Sequence, residues 1–494
     1  MTVHQLPPIK SSLKPSNHPY LTGAWTPIFT EVDAVDLTVL EGRIPDDIDG
    51  VYVRNTENQV HRPLGRYHPF DGDGMVHAIS FRGGKADYRN RFVRTRCFQA
   101  EQEAEGSLWG GLMDPPGTSL RPGFGAHGGI KDSSSTDVVV HAGQILSTFY
   151  QCGEAYRLDP ETLEQSGVAP WGPLDGISAH PKVDEATGEM LFFNYGVHAP
   201  YMHYGVVDRT GTLVHYVPID LPGPRLPHDM AFTTNYSILN DFPLFWDQDL
   251  LKKGVHASRM HDGLKSRFGI IPRYGRPEDI RWFEADPTYV LHFLNACEDG
   301  DEIVLDGYFQ ENPCPEPLEG YPPGMSHMMA FLDEHSFRPR LHRWRFNLKT
   351  GETREHHMDE RLLEFGMFNQ RHAGVPYRYA YSTTTRPGWF LFTGFVKHDL
   401  ETGQSWAVNL PEGVYASESP FVPRIDAKDE DDGYLVSFLI DENTQTSQCV
   451  LIDCKDFEAG PVVRIALPHK ISSGTHSVWA DRRFIENGVL PRCG

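Results

Sequence analysis

Read for its alternation of apolar and polar positions, the chain is a succession of short extended runs and predicts little long helix. Val51-Tyr-Val-Arg54, Met75-Val-His-Ala-Ile-Ser-Phe81, Val138-Val-Val140, Gln144-Ile-Leu-Ser-Thr-Phe-Tyr150 and Met190-Leu-Phe-Phe193 come first. Leu341-His-Arg-Trp-Arg-Phe346, Trp389-Phe-Leu-Phe392, Tyr434-Leu-Val-Ser-Phe-Leu-Ile440 and Cys449-Val-Leu-Ile452 follow. Each is rich in β-branched and aromatic residues and bounded by turn formers, which predicts strands. One connector recurs: Leu158-Asp-Pro-Glu-Thr-Leu163, Val183-Asp-Glu-Ala-Thr-Gly188, Val207-Asp-Arg-Thr-Gly211 and Phe346-Asn-Leu-Lys-Thr-Gly351. An Asp or Asn opens each turn and a Gly closes three of them, as strand-to-strand hairpins require. Hairpins repeated over a whole chain predict an all-β architecture of propeller type.

Two apolar runs flank a Glu-Asp-Gly-Asp turn in Tyr289-Val-Leu-His-Phe-Leu-Asn-Ala-Cys-Glu-Asp-Gly-Asp-Glu-Ile-Val-Leu-Asp306 and predict one further hairpin. His292 falls in the middle of its first strand. A buried imidazole needs partners for both ring nitrogens, so this histidine is either a satisfied core residue or a ligand. Residues 1–22, with Pro and Ser, predict an irregular arm, and 23–494 a single propeller domain. The Gly- and Pro-rich stretch near 100–130 and the stretch 240–282 break the strand pattern. Both are expected to be insertions capping one face, the second with a short helix over Asp241–Gly254. The acidic runs Glu101–Glu105 and Asp426–Asp432 are expected to be solvated turns.

Composition narrows the class. The 494 residues are 39% hydrophobic and 12% aromatic, enough for a large core, and 46 Gly and 38 Pro supply many turns. The net charge of -22 argues against nucleic acid or an anionic membrane surface as a partner. Seven cysteines (97, 152, 297, 314, 449, 454 and 493) form no C-x-x-C pair and are expected to be reduced thiols. With no apolar leader and no run of roughly 18 apolar residues, the expected compartment is the cytoplasm. Phe242, Leu244, Phe245 and Trp246 form an apolar cluster that is a candidate for weak membrane-surface contact, although acids flank it.

The candidate chemistry lies in four histidines, each in a distinct setting: His180 in Ser178-Ala-His-Pro-Lys182, His228 in Pro227-His-Asp-Met-Ala231, His292, and His476 in Thr475-His-Ser-Val-Trp479. They are dozens to nearly two hundred residues apart, so only a closed fold unites them, and a propeller axis is one that does. These segments, with Gly50-Val-Tyr-Val-Arg-Asn55, Phe70-Asp-Gly-Asp-Gly-Met-Val-His77, His292-Phe-Leu-Asn-Ala-Cys-Glu298 and Glu418-Ser-Pro-Phe-Val-Pro423, resemble in order the carotenoid cleavage oxygenases, a family that includes lignostilbene and isoeugenol oxygenases. The resemblance runs over nearly the whole chain. It implies a seven-bladed β-propeller with a loop-and-helix dome over the metal, and ferrous iron, Fe(2+), on His180, His228, His292 and His476.

Neutral imidazoles suit iron, and carboxylates behind them fix the ring tautomers. By the resemblance, Glu364 holds His292 and Glu418 holds His476. The family's third glutamate falls here on Gln151, whose amide is expected to accept from His228 without adding charge. Thr136 matches a threonine whose methyl crowds one open iron position. Tyr150 and, approximately, Leu112 stand where lignostilbene-type enzymes grip a phenol with lysine and tyrosine. The activity implied is cleavage of a conjugated C=C bond of an apolar olefin by O2, giving two carbonyls without nicotinamide, flavin or oxo-acid cosubstrate. Apocarotenoids and phenylpropanoid-type aromatic alkenes are both open as substrates. The alternatives are a metal-dependent isomerase or hydrolase on the same scaffold and a non-catalytic binding propeller. Asp71-Gly-Asp-Gly74 lacks the further oxygen ligands of a calcium loop and reads as a turn.

Overall fold

The computed structural model describes the chain except residues 113, 115, 123–130, 172–175, 247–248, 250–257, 262, 312–336, 387–388 and 493–494. It is an all-β propeller with few helices. Among the described residues, five four-stranded antiparallel sheets follow one another along the chain, and in each the first strand is innermost. Those first strands are Asp137–His141, Lys182–Asp184, Ala231–Phe232, Phe293–Asp299 and Leu363–Met367. A six-stranded and a seven-stranded sheet complete the set and join the two ends of the chain. In the former, Val39–Gly42 pairs with Pro461–Ala466. In the latter, Ser477–Asp481 pairs with Gly50–Arg54, Trp479 facing Tyr52. Closure by these long-range pairings leaves the innermost strands side by side: Asp137–His141 touches both Lys182–Asp184 and Ser477–Asp481, and Phe293–Asp299 touches Ala231–Phe232 and Leu363–Met367.

The hydrophobic core lies between sheets, as alternation on two-faced strands requires. Trp344, Phe268, Phe293 and Phe346 interlock between two neighbouring sheets with ring centroids 5.0–6.4 Å apart. The expected connectors are hairpin turns, and Gly188, Gly211 and Gly351 close theirs at φ of 74°, 83° and 79°, a region open to glycine.

Several expectations change. The arm contains a strand, Thr2–Gln5, paired with Val32–Val35. Of the stretch 240–282, Ser266–Pro272 and Arg281–Ala285 are ordinary strands of the third sheet. Only the segment between carries a separate two-stranded ribbon, Leu244–Trp246 with Ser258–Met260. A strand therefore occupies part of the expected helix over Asp241–Gly254, most of whose remainder lies outside the described residues. Phe242, Leu244 and Phe245 are buried, and Arg225 sits 3.9 Å over the Phe245 ring, so these three do not face a membrane. In the stretch 100–130, helix Arg96–Ala104 replaces the first acidic turn. Its Glu101 is buried in an ion pair with Lys131 at 2.7 Å. Residues 123–130 of that stretch lie outside the described residues, as do Cys314 and Cys493; the other five cysteines are buried free thiols. Among the described residues no helix is long and apolar enough to cross a membrane.

Candidate metal centre

Each of the four histidines sits where the chain enters an innermost strand. His180 precedes Lys182–Asp184, His228 precedes Ala231–Phe232, His292 directly precedes Phe293–Asp299, and His476 directly precedes Ser477–Asp481. His292 is thus at the strand's mouth and not in its middle: its carbonyl accepts from Tyr308 N at 3.2 Å, but its ring stands clear of the ladder. His180 holds a left-handed backbone, φ 64°, a conformation that costs a residue with a Cβ about 1–3 kcal/mol.

The rings converge. The centroid of His180 lies 4.8 Å from that of His228, 5.1 Å from His292 and 4.4 Å from His476. His292 lies 5.3 Å from His228 and 4.6 Å from His476. One nitrogen from each of His180, His292 and His476 fits within 4.8 Å of the others. Nε2 of His228 is 3.2 Å from Nε2 of His180. His180, His292 and His476 are buried, and His228 is half-buried.

Carboxylates occupy the outer nitrogens. His292 Nδ1 meets Glu364 Oε2 at 2.7 Å, and His476 Nδ1 meets Glu418 Oε1 at 3.2 Å. Both carboxylates are themselves held, Glu364 by the Phe365 amide and Glu418 by the Ser477 amide. His180 Nδ1 meets Asp137 Oδ2 at 3.1 Å, a partnership that sequence reading missed because nothing around Asp137 distinguishes it from a strand-end residue. Each carboxylate accepts from Nδ1–H and so leaves the Nε2 lone pair for the centre.

Burial, with the neighbouring imidazoles, holds His180, His228 and His292 well below the usual histidine range, so these three rings are neutral. Burial opposes the charged form of His476 too, but Glu418 outweighs it and pushes the ring up to about 9. Burial also raises Glu364 to about 8 and Asp137 to about 6. The donor set fits a divalent transition metal: up to four imidazole nitrogens, acidic side chains behind three of them, and a buried His292 Nε2 with no hydrogen-bond partner among the described residues.

The remaining expected residues lie close by. Thr136 is buried; its Oγ1 accepts from Tyr150 N at 3.2 Å and its carbonyl from Thr475 Oγ1 at 3.0 Å. Gln151 follows Tyr150 in the turn after strand Gln144–Thr148 and, among the described residues, makes no hydrogen bond to His228. The Tyr150 ring lies there, 5.9 Å away. Leu112 is bound through its amide to Asp71, 2.8 Å away, in the expected turn. A path of rings encloses one side of the cluster. Phe365 lies 5.3 Å from His292, Phe390 5.8 Å from Phe365, Phe70 5.4 Å from Phe390, and Tyr150 6.3 Å from Phe70. An axial cleft lined by Val138, Val140, Phe293 and Val478 also reaches His180, His292 and His476.

Residues 25–481 match the family described as retinal pigment epithelial membrane protein. The chain is 34% identical to carotenoid 9,10(9',10')-cleavage dioxygenase 1 of Pisum sativum, over 93% of this chain and 89% of that one. It is 32% identical to isoeugenol monooxygenase of Pseudomonas nitroreducens, over 94% of this chain and 98% of that one. The structure is similar to that of Pseudomonas brassicacearum lignostilbene dioxygenase, with a TM-score of 0.83 and 26% identity, over 95% of this chain and all of that one.

Proposed function

This chain belongs to the retinal pigment epithelial membrane protein family, and from that premise we propose that it is a ferrous dioxygenase cleaving a conjugated C=C bond of an apolar olefin with O2. The reaction balances as one olefin and one O2 giving two carbonyl products. The observation that carries the reading is the convergence of four imidazoles from four sheets, three with a carboxylate on Nδ1.

His180, His228, His292 and His476 would hold Fe(2+). The ion supplies the redox chemistry through which ground-state O2 reacts with a closed-shell olefin. The chain's own part is to position and to exclude. Glu364 and Glu418 keep the proton on Nδ1 of His292 and His476. Gln151, neutral where a glutamate would add charge, leaves the His228 side less negative. Thr136, its hydroxyl tied to the Tyr150 amide, narrows one approach to the centre with its methyl. Phe365, Phe390, Phe70 and Tyr150 form an apolar wall against which a planar conjugated substrate lies while water is kept out. No side chain is required as a general base. The substrate is an apolar conjugated olefin of the kinds named for the relatives, an apocarotenoid or a propenyl- or stilbene-type aromatic alkene.

We read the seven sheets of four or more strands as seven blades of one domain, residues 23–494, in the cytoplasm. The dome over the metal would comprise helix Arg96–Ala104 and the ribbon Leu244–Trp246 with Ser258–Met260.

The test is an oxygen-uptake screen of iron-loaded protein against carotenals, stilbenes and propenyl-phenols, with product masses recorded and His292→Ala in parallel. The expected result is one O2 consumed per olefin and two carbonyl fragments, lost with the iron in the variant. Turnover without O2, or full activity in an iron-free variant, would overturn the reading.

A further inference from the structure

Resting on the metal reading above, we infer that Asp137 is the orienting carboxylate of His180 and supplies at that ring the negative charge that Gln151 does not supply at His228. The arrangement of the innermost strands supports this. Going round the axis, they or their entry loops present Asp137, His180, His228, His292, Glu364, Glu418 and His476, one from each sheet. Each histidine that stands beside a carboxylate in this ring is bonded to one: His180 to Asp137, His292 to Glu364 and His476 to Glu418. His228 alone stands between two histidines. The pattern makes Asp137 equivalent in position and in contact to the two glutamates.

Its own geometry is set as firmly as theirs. Oδ1 accepts from Val138 N at 2.7 Å, leaving Oδ2 on His180 Nδ1 at 3.1 Å, and both side chains are buried. His180 lies outside the regular strand, in a left-handed backbone, so its ring draws no support from a ladder. With Nδ1–H donated to Asp137, Nε2 carries the ring's lone pair, 3.2 Å from His228 Nε2. An aspartate, one methylene shorter than glutamate, serves because it opens the adjacent innermost strand.

The alternative is that Asp137 only caps the strand by accepting from Val138 N. Cobalt(II) distinguishes the two, because its absorption bands report the ligand field directly. Wild type, D137A, D137N and, as a scale, E364A are titrated with Co(II) against a competing chelator, and their visible spectra are recorded beside circular dichroism. D137A is expected to weaken Co(II) binding about 10–100-fold, as loss of an orienting partner does elsewhere, and to shift its bands. D137N, which keeps an acceptor but loses the charge, should fall between D137A and wild type. If D137A does not fold, D137N carries the test. Wild-type affinity and spectrum in the folded variants would overturn the inference while leaving the metal site standing. Failure of the wild type itself to bind Co(II) or Fe(II) would instead end the metal reading on which it rests.

Discussion

The two sides of the histidine ring are built differently. On one side His292 has a 2.7 Å bond to a buried glutamate, which the Phe365 amide holds in turn. On the other, His228 has a neighbouring imidazole at 3.2 Å and a tyrosine ring at 5.9 Å, but among the described residues no hydrogen bond to a carboxylate or to Gln151. A ligand held from behind is pre-oriented and made more basic; one held only by packing is neither. The cause is positional: His292 borders a sheet that presents Glu364, whereas both inner-strand neighbours of His228 present histidines.

The largest expected effect comes from removing the better-held ring. His292→Ala deletes a ligand and leaves Glu364 buried without its imidazole, so metal content should fall to background, as read by elemental analysis after purification under reducing conditions. The contrast itself is broken or sharpened one layer out. Glu364→Ala should weaken metal binding about 10–100-fold, whereas Gln151→Ala should change it by less than about threefold, both read by chelator competition. Equal losses in the two variants would mean that Gln151 supports His228 through a path other than a hydrogen bond.

A separate prediction, read in stability and not in metal binding, concerns a buried carboxylate that among the described residues has no hydrogen bond to a histidine. Glu57 Oε1 lies 3.2 Å from Thr475 Oγ1, its Oε2 has no hydrogen-bond partner among the described residues, and burial pushes its carboxyl from the ordinary 4.5 up to about 8. The folded state therefore keeps its proton where the unfolded chain loses it. Its contribution to stability is fully present below pH 4.5 and drains as pH rises towards 8, by up to about 1.4 kcal/mol per pH unit. Glu57→Gln cannot ionise there, so the thermal midpoint of the wild type should fall relative to the variant between pH 5 and 8; parallel curves would refute this.

Much of the architecture is legible in the chain because hairpins are local. The turns at Gly188, Gly211 and Gly351 declare themselves by residue type, and runs such as Tyr434–Ile440 are strands for their whole length. Reading is poorest where a segment's neighbour lies far along the chain. Thr2–Gln5 has no apolar pattern and is a strand only because Val32–Val35 presents an open edge. Ser266–Pro272 was hidden in a stretch that looked like an insertion because its partner, Tyr236–Asp241, lies across that ribbon. At the site, Glu364 and Glu418 were reached through the family resemblance, while Asp137, in Ser-Ser-Ser-Thr-Asp, carried no mark of its partner 43 residues on.

By itself the sequence determined the class of fold and the type of donor atom available, since alternation, turn chemistry and side-chain identity are properties of short segments. The pairings of Glu364 with His292 and of Glu418 with His476 were implied by the family resemblance, whereas only the tertiary structure decided that Asp137 serves His180. That pairing is settled by the closure of the sheets into a ring, where residues from opposite ends of the chain become neighbours, and no local pattern encodes the distance between them.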